Sequence, residues 1–362
     1  MTTPTVNSII TGTGSEIPKT VIPNEHFLRN TFYYDSGELM QKPVSEIVQK
    51  FFEITEIEER RYAEPNQVAS DLGLLAAKKA IASAGIDKES LDYIIVAHNF
   101  GDVDANNMRS DLVPTIASRI KQNLGIVNPY TVSYDVPFGC PGWLQALIQA
   151  HYFIQSGEAK KVLVIGTETL SRVSDPHDVD SMLYSDGAGA VVVEAREGEE
   201  KAGILHHLTR SDTIDHCQLL KMSRSYNNEV DPKAIFLKMN GRKLYEYALN
   251  HVPQTVQSCL NKAGLGLADI SKVLMHQANA KMNKAILLRL FKLYNYEEAD
   301  ENTMPMTISK LGNNSVATLP ILLDLLLTEK LNGHRIHPNQ YMVFSSVGAG
   351  MNVNTVVYKM PG

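Results

Sequence analysis

Apolar residues fall into two kinds of run along this chain. Short, nearly unbroken runs read as buried strands: Tyr93-Ile94-Ile95-Val96-Ala97-His98, Lys161-Val162-Leu163-Val164-Ile165-Gly166, Lys272-Val273-Leu274-Met275-His276-Gln277 and Tyr341-Met342-Val343-Phe344-Ser345. Longer stretches between them carry helical spacing. Two of these, through Ala80–Gly85 and Cys259–Gly264, read as amphipathic helices stopped by glycine. Two others follow Gly139-Cys140 and Gly312-Asn313. They are apolar nearly all round (Trp143, Leu144, Leu147, Ile148 and Phe153; Leu319, Ile321, Leu322, Leu325 and Leu326), which predicts buried helices.

The runs recur in the same order. Gly264 follows Gly85 by 179 residues, and the spacing from helix end to strand is the same in both copies. Asn313 follows Cys140 by 173 residues. One pattern used twice predicts a duplicated α/β architecture with mixed central sheets, its halves spanning 1–195 and 196–362. Matching helix starts then present Cys140 from one half and Asn313 from the other. His276 closes a strand of the second half. The three residues are expected to meet at the interface of the halves, where pockets form.

Composition narrows the class. The chain has 362 residues, 44% of them hydrophobic, enough for one large or two fused α/β domains. A net charge of −6 argues against a general nucleic-acid binder. Three cysteines, Cys140, Cys217 and Cys259, suit reduced thiols rather than a disulfide framework. The N-terminal stretch has no basic segment followed by an apolar core, so no signal peptide is expected. The longest apolar stretch, Leu319 to Leu327, is interrupted by Pro320 and Asp324 and is far too short for a membrane span. These features predict a soluble cytoplasmic protein. No metal site is expected: His177, Asp178 and Asp180 follow Pro176 and read as a polar loop. Gly12-Thr13-Gly14 lacks the rest of a dinucleotide fingerprint.

The chemistry lies in three residue types. A thiol at a helix start sits near the positive end of the peptide dipoles. That location predicts a lowered pKa and a thiolate near neutral pH. Such a sulfur can attack a thioester and hold the acyl group covalently. His276 and Asn313 can donate hydrogen bonds to a second thioester carbonyl and stabilise the enolate left when a malonyl group loses carbon dioxide. The backbone N–H of Cys140 and the turn Gly348-Ala349-Gly350, whose small residues permit close approach, are candidates to hold the first carbonyl oxygen. Each residue alone has a plainer reading as a buried thiol, a core histidine or a helix cap. The combination points to acyl transfer through a thioester.

Several motifs together carry a family resemblance over nearly the whole chain. They are Ile10-Thr11-Gly12-Thr13-Gly14-Ser15-Glu16-Ile17-Pro18, Thr55-Glu56-Ile57-Glu58-Glu59-Arg60-Arg61-Tyr62, Asp135 to Gly142, Ser185-Asp186-Gly187-Ala188-Gly189-Ala190, His276-Gln277-Ala278-Asn279 and Gly312-Asn313. In these the sequence resembles the β-ketoacyl-acyl-carrier-protein synthase III family of the thiolase-like superfamily. The resemblance implies a five-layered α-β-α-β-α fold and a homodimer. It implies no cofactor, with acyl-coenzyme A or acyl-carrier-protein thioesters as substrates, and decarboxylative Claisen condensation of an acyl primer with a malonyl-carrier-protein extender. By matching position it makes Cys140 the acylated nucleophile and sets His276 and Asn313 at the extender thioester. It assigns the Cys140 and Ala349 N–H groups to an oxyanion hole. Arg172 is expected near a coenzyme A nucleotide, with Asn279, Gly348 and Gly350 also against substrate. Lys281, Lys284 and Arg289 are expected to dock the acidic carrier protein, the plainer alternative being a solvated helix face.

Departures from the family pattern bear on substrate choice. Ile54 stands where an arginine is usual, and Thr31 to Gln49 reads as an insertion, so the adenine clamp is expected to be altered. A second insertion, Gly101 to Leu112, precedes Val113, a position where a bulky residue often limits the partner subunit's acyl pocket. The smaller Val113 is compatible with a longer or branched primer and a specialised pathway. Competing readings are head-to-head condensation of two acyl or β-ketoacyl thioesters, as in olefin or dialkylresorcinol formation, and a non-catalytic partner subunit of a heterodimer. A papain-like protease is disfavoured by the duplicated pattern. A degradative thiolase is disfavoured because Val347-Gly348-Ala349-Gly350 has no second cysteine.

Overall fold

The computed structural model describes residues 5–362. Up to Gly198 the elements are β1 (Thr5–Glu16), β2 (Thr20–Pro23), α1 (Val44–Thr55), β3 (Glu59–Tyr62), α2 (Ala69–Ala84), β4 (Tyr93–Ala97), β5 (Asp102–Val103), β6 (Ser110–Asp111), α3 (Ile116–Leu124), β7 (Val132–Val136), α4 (Gly142–Ser156), β8 (Lys161–Thr169) and β9 (Asp186–Gly198). Beyond it come β10 (Gly203–Ser211), β11 (Leu220–Ser223), β12 (Phe236–Met239), α5 (Gly241–Ala263), β13 (Ile270–Met275), α6 (Ala280–Lys292), α7 (Ile308–Leu311), α8 (Thr318–Leu327), β14 (Tyr341–Gly348) and β15 (Asn352–Lys359).

Two mixed sheets form the frame. One has the order β1-β9-β8-β4-β7, the other β10-β15-β14-β13. In each, two antiparallel pairings lead into parallel ones, so β1, β9, β8 and β4 correspond to β10, β15, β14 and β13. β7 has no counterpart among the described strands of the second sheet.

Helix character follows from layer. α2 and α3 cover the outer face of the first sheet, and α5, backed by α6, covers the outer face of the second. These helices bury one stripe: in α2 it is Leu72, Ala76, Ala77 and Ala80. Gly85 and Gly264 stop α2 and α5 in the left-handed conformation, as the sequence predicts. α4 and α8 lie between the sheets, which is why both are apolar on nearly every side. The layers therefore run α-β-α-β-α.

Asp324, the charge that interrupts the apolar run of α8, is buried and accepts hydrogen bonds from Thr13 Oγ1 (2.7 Å) and Ser15 Oγ (2.5 Å) of β1. It fastens the middle layer to the first sheet. The Gly12-Thr13-Gly14 run serves packing as well: a Cβ at Gly12 would stand 2.4 Å from the Ala80 carbonyl of α2. No helix among the described residues is long and apolar enough to cross a membrane.

Candidate active site

Cys140, His276 and Asn313 line one inner cavity of about 250 Å³. Gly139, Gly348 and Ala349 form its wall beside the cysteine, and Phe100, Leu170, Met222, Leu237 and Met239 make much of it apolar. Residues as far apart in the chain as Cys140 and Asn313 thus converge where the two sheets' loops meet.

Cys140 sits in the turn ahead of α4. Gly139 holds the turn at φ +64°, and the Gly142 N–H donates to the Gly139 carbonyl at 2.9 Å. The turn from β14 into β15 presses against it. A Cβ at Gly348 would lie 2.6 Å from the Cys140 nitrogen, and one at Gly139 would lie 2.7 Å from the Ala349 nitrogen. Only glycine on both sides lets the two backbones meet, bringing the Cys140 and Ala349 amides together. Neither amide is taken up by a turn or loop hydrogen bond among the described residues. Gly350 does not line the cavity; it admits Asn352, whose Nδ2 donates to the Ala349 carbonyl at 2.8 Å and fixes the turn.

The expected lowered thiol pKa is not what these surroundings give. Burial pushes the Cys140 thiol up to about 11. A hydrogen bond from Ser315 opposes that shift, and the charge of Glu168 adds to it. Loss of water around the sulfur is the largest contribution.

His276 follows β13, with its backbone fixed by its own N–H to Ser345 and by Asn283 Nδ2 to its carbonyl, both 2.9 Å. Burial lowers its pKa to about 4, so the imidazole is neutral at pH 7. Asn313 is held by two backbone bonds of 2.9 Å, its N–H to Leu183 and its carbonyl from Ser185. Its Oδ1 accepts from the Ser315 N–H at 2.9 Å, and its Nδ2 donates to no acceptor among the described residues. The side-chain donor is therefore left for the cavity.

The remaining expected site residues separate. Asn279 lines an outer cavity of about 860 Å³ and caps α6 through Met282 N–H at 2.7 Å. This outer space shares Met239, Leu244, Ala278, Met282 and Asn313 with the inner one. Arg172 lines neither cavity. Its guanidinium donates to the Glu64 carbonyl at 2.9 Å, with longer contacts to the carbonyls of Ala63 and Gln67, so it braces that loop. Val113 also lines neither cavity of its own chain and is 86% exposed. On α6, Lys284 is engaged by Glu56 at 3.0 Å and Arg289 by Asn250 Oδ1 at 2.6 Å, while Lys281 is exposed. Asp175 and Asp178 hold the buried Lys238 Nζ at 2.5 and 2.9 Å, which accounts for the acidic loop after Pro176.

Sequence reasoning missed three groups. The hairpin β11–β12 roofs the inner cavity with Leu220, Met222, Leu237 and Met239. α1, placed partly in an expected insertion, walls the outer cavity with Ile47, Phe51 and Ile54. Ser315, Asn99 and Glu168 form a chain of hydrogen bonds ending on the Cys140 sulfur. Ser315 was within reach of the sequence, two residues past Asn313; Asn99 and Glu168 carried no motif of their own.

Comparison with known proteins identifies the family. The model of 3-oxoacyl-[acyl-carrier-protein] synthase III matches residues 134–213, and its C-terminal model matches residues 260–360. A β-ketoacyl-[acyl-carrier-protein] synthase III of Ruegeria pomeroyi is 30% identical over 356 residues, covering 97% of this chain and 98% of the relative. One from Staphylococcus haemolyticus is 31% identical, covering 98% and 99%. The crystal structure of the Aquifex aeolicus 3-oxoacyl-[acyl-carrier-protein] synthase III superposes with a TM-score of 0.78 at 27% identity, over 98% of this chain and all of that one. The chain belongs to the β-ketoacyl-[acyl-carrier-protein] synthase III family, and is an acyltransferase that forms carbon–carbon bonds by Claisen condensation.

Proposed function

We propose that the enzyme loads an acyl primer onto Cys140 and condenses it with a malonyl group delivered on an acyl carrier protein. The observation that carries this reading is a single cavity lined by Cys140, His276 and Asn313, with the Cys140 and Ala349 amides beside it. In the first step the sulfur attacks the primer's thioester carbonyl. The carrier's C–S bond breaks, and the thiol proton goes to the departing thiolate. The two amides take the transient oxyanion. In the second step the malonyl thioester loses carbon dioxide. The electron pair left behind forms an enolate whose oxygen accepts from neutral His276 and from Asn313 Nδ2. The enolate carbon attacks the acyl group on Cys140, the C–S bond breaks, and the departing thiolate takes a proton from solvent.

The outer cavity is the natural entry for a carrier's pantetheine arm, with Lys42, Lys50 and Arg242 on its wall and exposed Lys281 on the neighbouring α6. A homodimer fits the open edge strand β7 and the exposed apolar Val113, Val127 and Tyr130 nearby in the chain. In such a dimer Val113 would act on the partner's acyl pocket. The size of the outer cavity also favours a second reading, in which a second acyl or β-ketoacyl thioester replaces malonyl. The test supplies an acyl-coenzyme A with malonyl-carrier protein and follows the carrier by mass spectrometry. A 3-oxoacyl carrier with release of carbon dioxide is expected. A condensed product formed from acyl donors alone would favour the second reading instead.

A further inference from the structure

Resting on Cys140 as the nucleophile, we infer that Ser315 is a catalytic hydrogen-bond donor to the Cys140 sulfur, held in that role by Asn99 and Glu168 as positioning residues. The Ser315 hydroxyl lies 3.4 Å from Cys140 Sγ. A serine hydroxyl has one hydrogen and can equally accept. Its direction here is set by what stands behind it. Asn99 Nδ2 donates to Ser315 Oγ at 3.1 Å, so the hydroxyl oxygen is an acceptor on that side. Its own hydrogen is left for the sulfur.

Asn99 is fixed in turn. Its Nδ2 has two hydrogens: one goes to Ser315 and the other to Glu168 Oε2 at 2.6 Å. The Asn99 backbone N–H donates to Glu168 Oε1 at 3.3 Å. Both Glu168 oxygens are taken by Asn99 donors, which sets the amide nitrogen, not the amide oxygen, toward Ser315. Glu168 is buried on β8, directly behind the cavity wall. The backbone supports the same arrangement. Ser315 sits at φ +51°, a conformation seldom taken by residues other than glycine, and its N–H is bonded to Asn313 Oδ1. The strained residue thus orients both the Asn313 amide and the Cys140 sulfur.

This donor matters because the thiol is otherwise hard to ionise. Burial and the Glu168 charge raise its pKa; the Ser315 bond, and after it the residue's own backbone N–H, lower it. Tyr184 also lines the cavity but remains a neutral phenol, raised by burial and by Asp180 and Asp178. His276 on the same cavity is neutral. Glu168 itself is raised to about 7 by burial, with His98 and the Asn99 bonds lowering it and Asp186 raising it. Ser315 is thus the nearby side chain that favours thiolate, both when the sulfur attacks and when it leaves the condensed product.

The test is the rate of iodoacetamide alkylation at Cys140 from pH 7 to 10, read by peptide mass spectrometry, with exposed Cys217 as the internal control. Ser315→Ala is expected to slow Cys140 about tenfold at fixed pH and to move its profile up by about one pH unit, while Cys217 is unchanged. Asn99→Ala is expected to act in the same direction, and it carries the prediction if Ser315→Ala does not fold. The double variant should be no slower than Ser315→Ala alone, because both remove one interaction. Wild-type alkylation in Ser315→Ala, or losses that multiply in the double variant, would overturn the inference. Alkylation needs no acyl donor, so that failure would leave the synthase reading standing. A wild type that accepts no acyl group from any donor would instead overturn that reading.

Discussion

The turn ahead of α4 and the turn ahead of α8 occupy equivalent places in the two copies of the fold, yet they are built differently. The first follows strand β7, and Asp135 near the end of that strand latches it: its carboxylate accepts from the Ile116 and Ala117 N–H groups, both at 2.8 Å, and pairs with His98 at 2.9 Å. The second follows no strand. It is pinned across the molecule, through the bonds of Asn313 to Leu183 and Ser185. The first turn offers a sulfur against open backbone amides; the second offers a side-chain donor whose oxygen is already taken. Duplication supplies two equivalent platforms, and the residue on each platform decides whether it presents a thiol or an amide to the cavity.

If that division holds, loss of either second-half donor facing the cavity, His276 after β13 or Asn313 in the second turn, should spare loading. His276→Ala and Asn313→Ala should each lower condensation by about 10²–10³-fold, the usual cost of removing one such donor. Acyl loading of Cys140 should persist, as measured by the mass of the protein after incubation with acyl donor. Equal loss of both steps would erase the distinction between the turns.

Damage beside the first turn should strike loading itself, and condensation with it. Gly348→Ala puts a carbon 2.6 Å from the Cys140 nitrogen and 2.9 Å from its Cβ, so the turn must shift. Loading should fall at least tenfold, and overpacking should cost about 1–3 kcal/mol in denaturant unfolding. Unchanged loading would mean the amides beside Cys140 are not needed. The smallest expected functional effect is at the shared frame. Asp324→Ala leaves the Thr13 and Ser15 hydroxyls without their acceptor. It should lower stability by about 1–3 kcal/mol, seen as a lower urea midpoint, with the ratio of loading to condensation unchanged.

Much of this comparison was legible in the sequence. The constant offset between Gly85 and Gly264, and the matching apolar helices after Cys140 and Asn313, predicted the paired sheets and the buried middle layer, because helix and strand periods report burial directly. The convergence of Cys140, His276 and Asn313 followed from that symmetry. What the sequence reading got wrong depends on three-dimensional surroundings. The thiol pKa was judged from local helix position, whereas burial from distant segments raises it. Asn99 and Glu168 lie on separate strand ends, and only the parallel pairing of β4 with β8 makes them neighbours.

The most direct test of the account is intact-mass spectrometry of the wild type, Cys140→Ala and Asn313→Ala after incubation with acyl-coenzyme A and acyl-carrier-protein donors of varied chain length. The account predicts one acyl adduct on the wild type and on Asn313→Ala, and none on Cys140→Ala. An adduct that survives in Cys140→Ala, or its absence from the wild type with every donor, would contradict it.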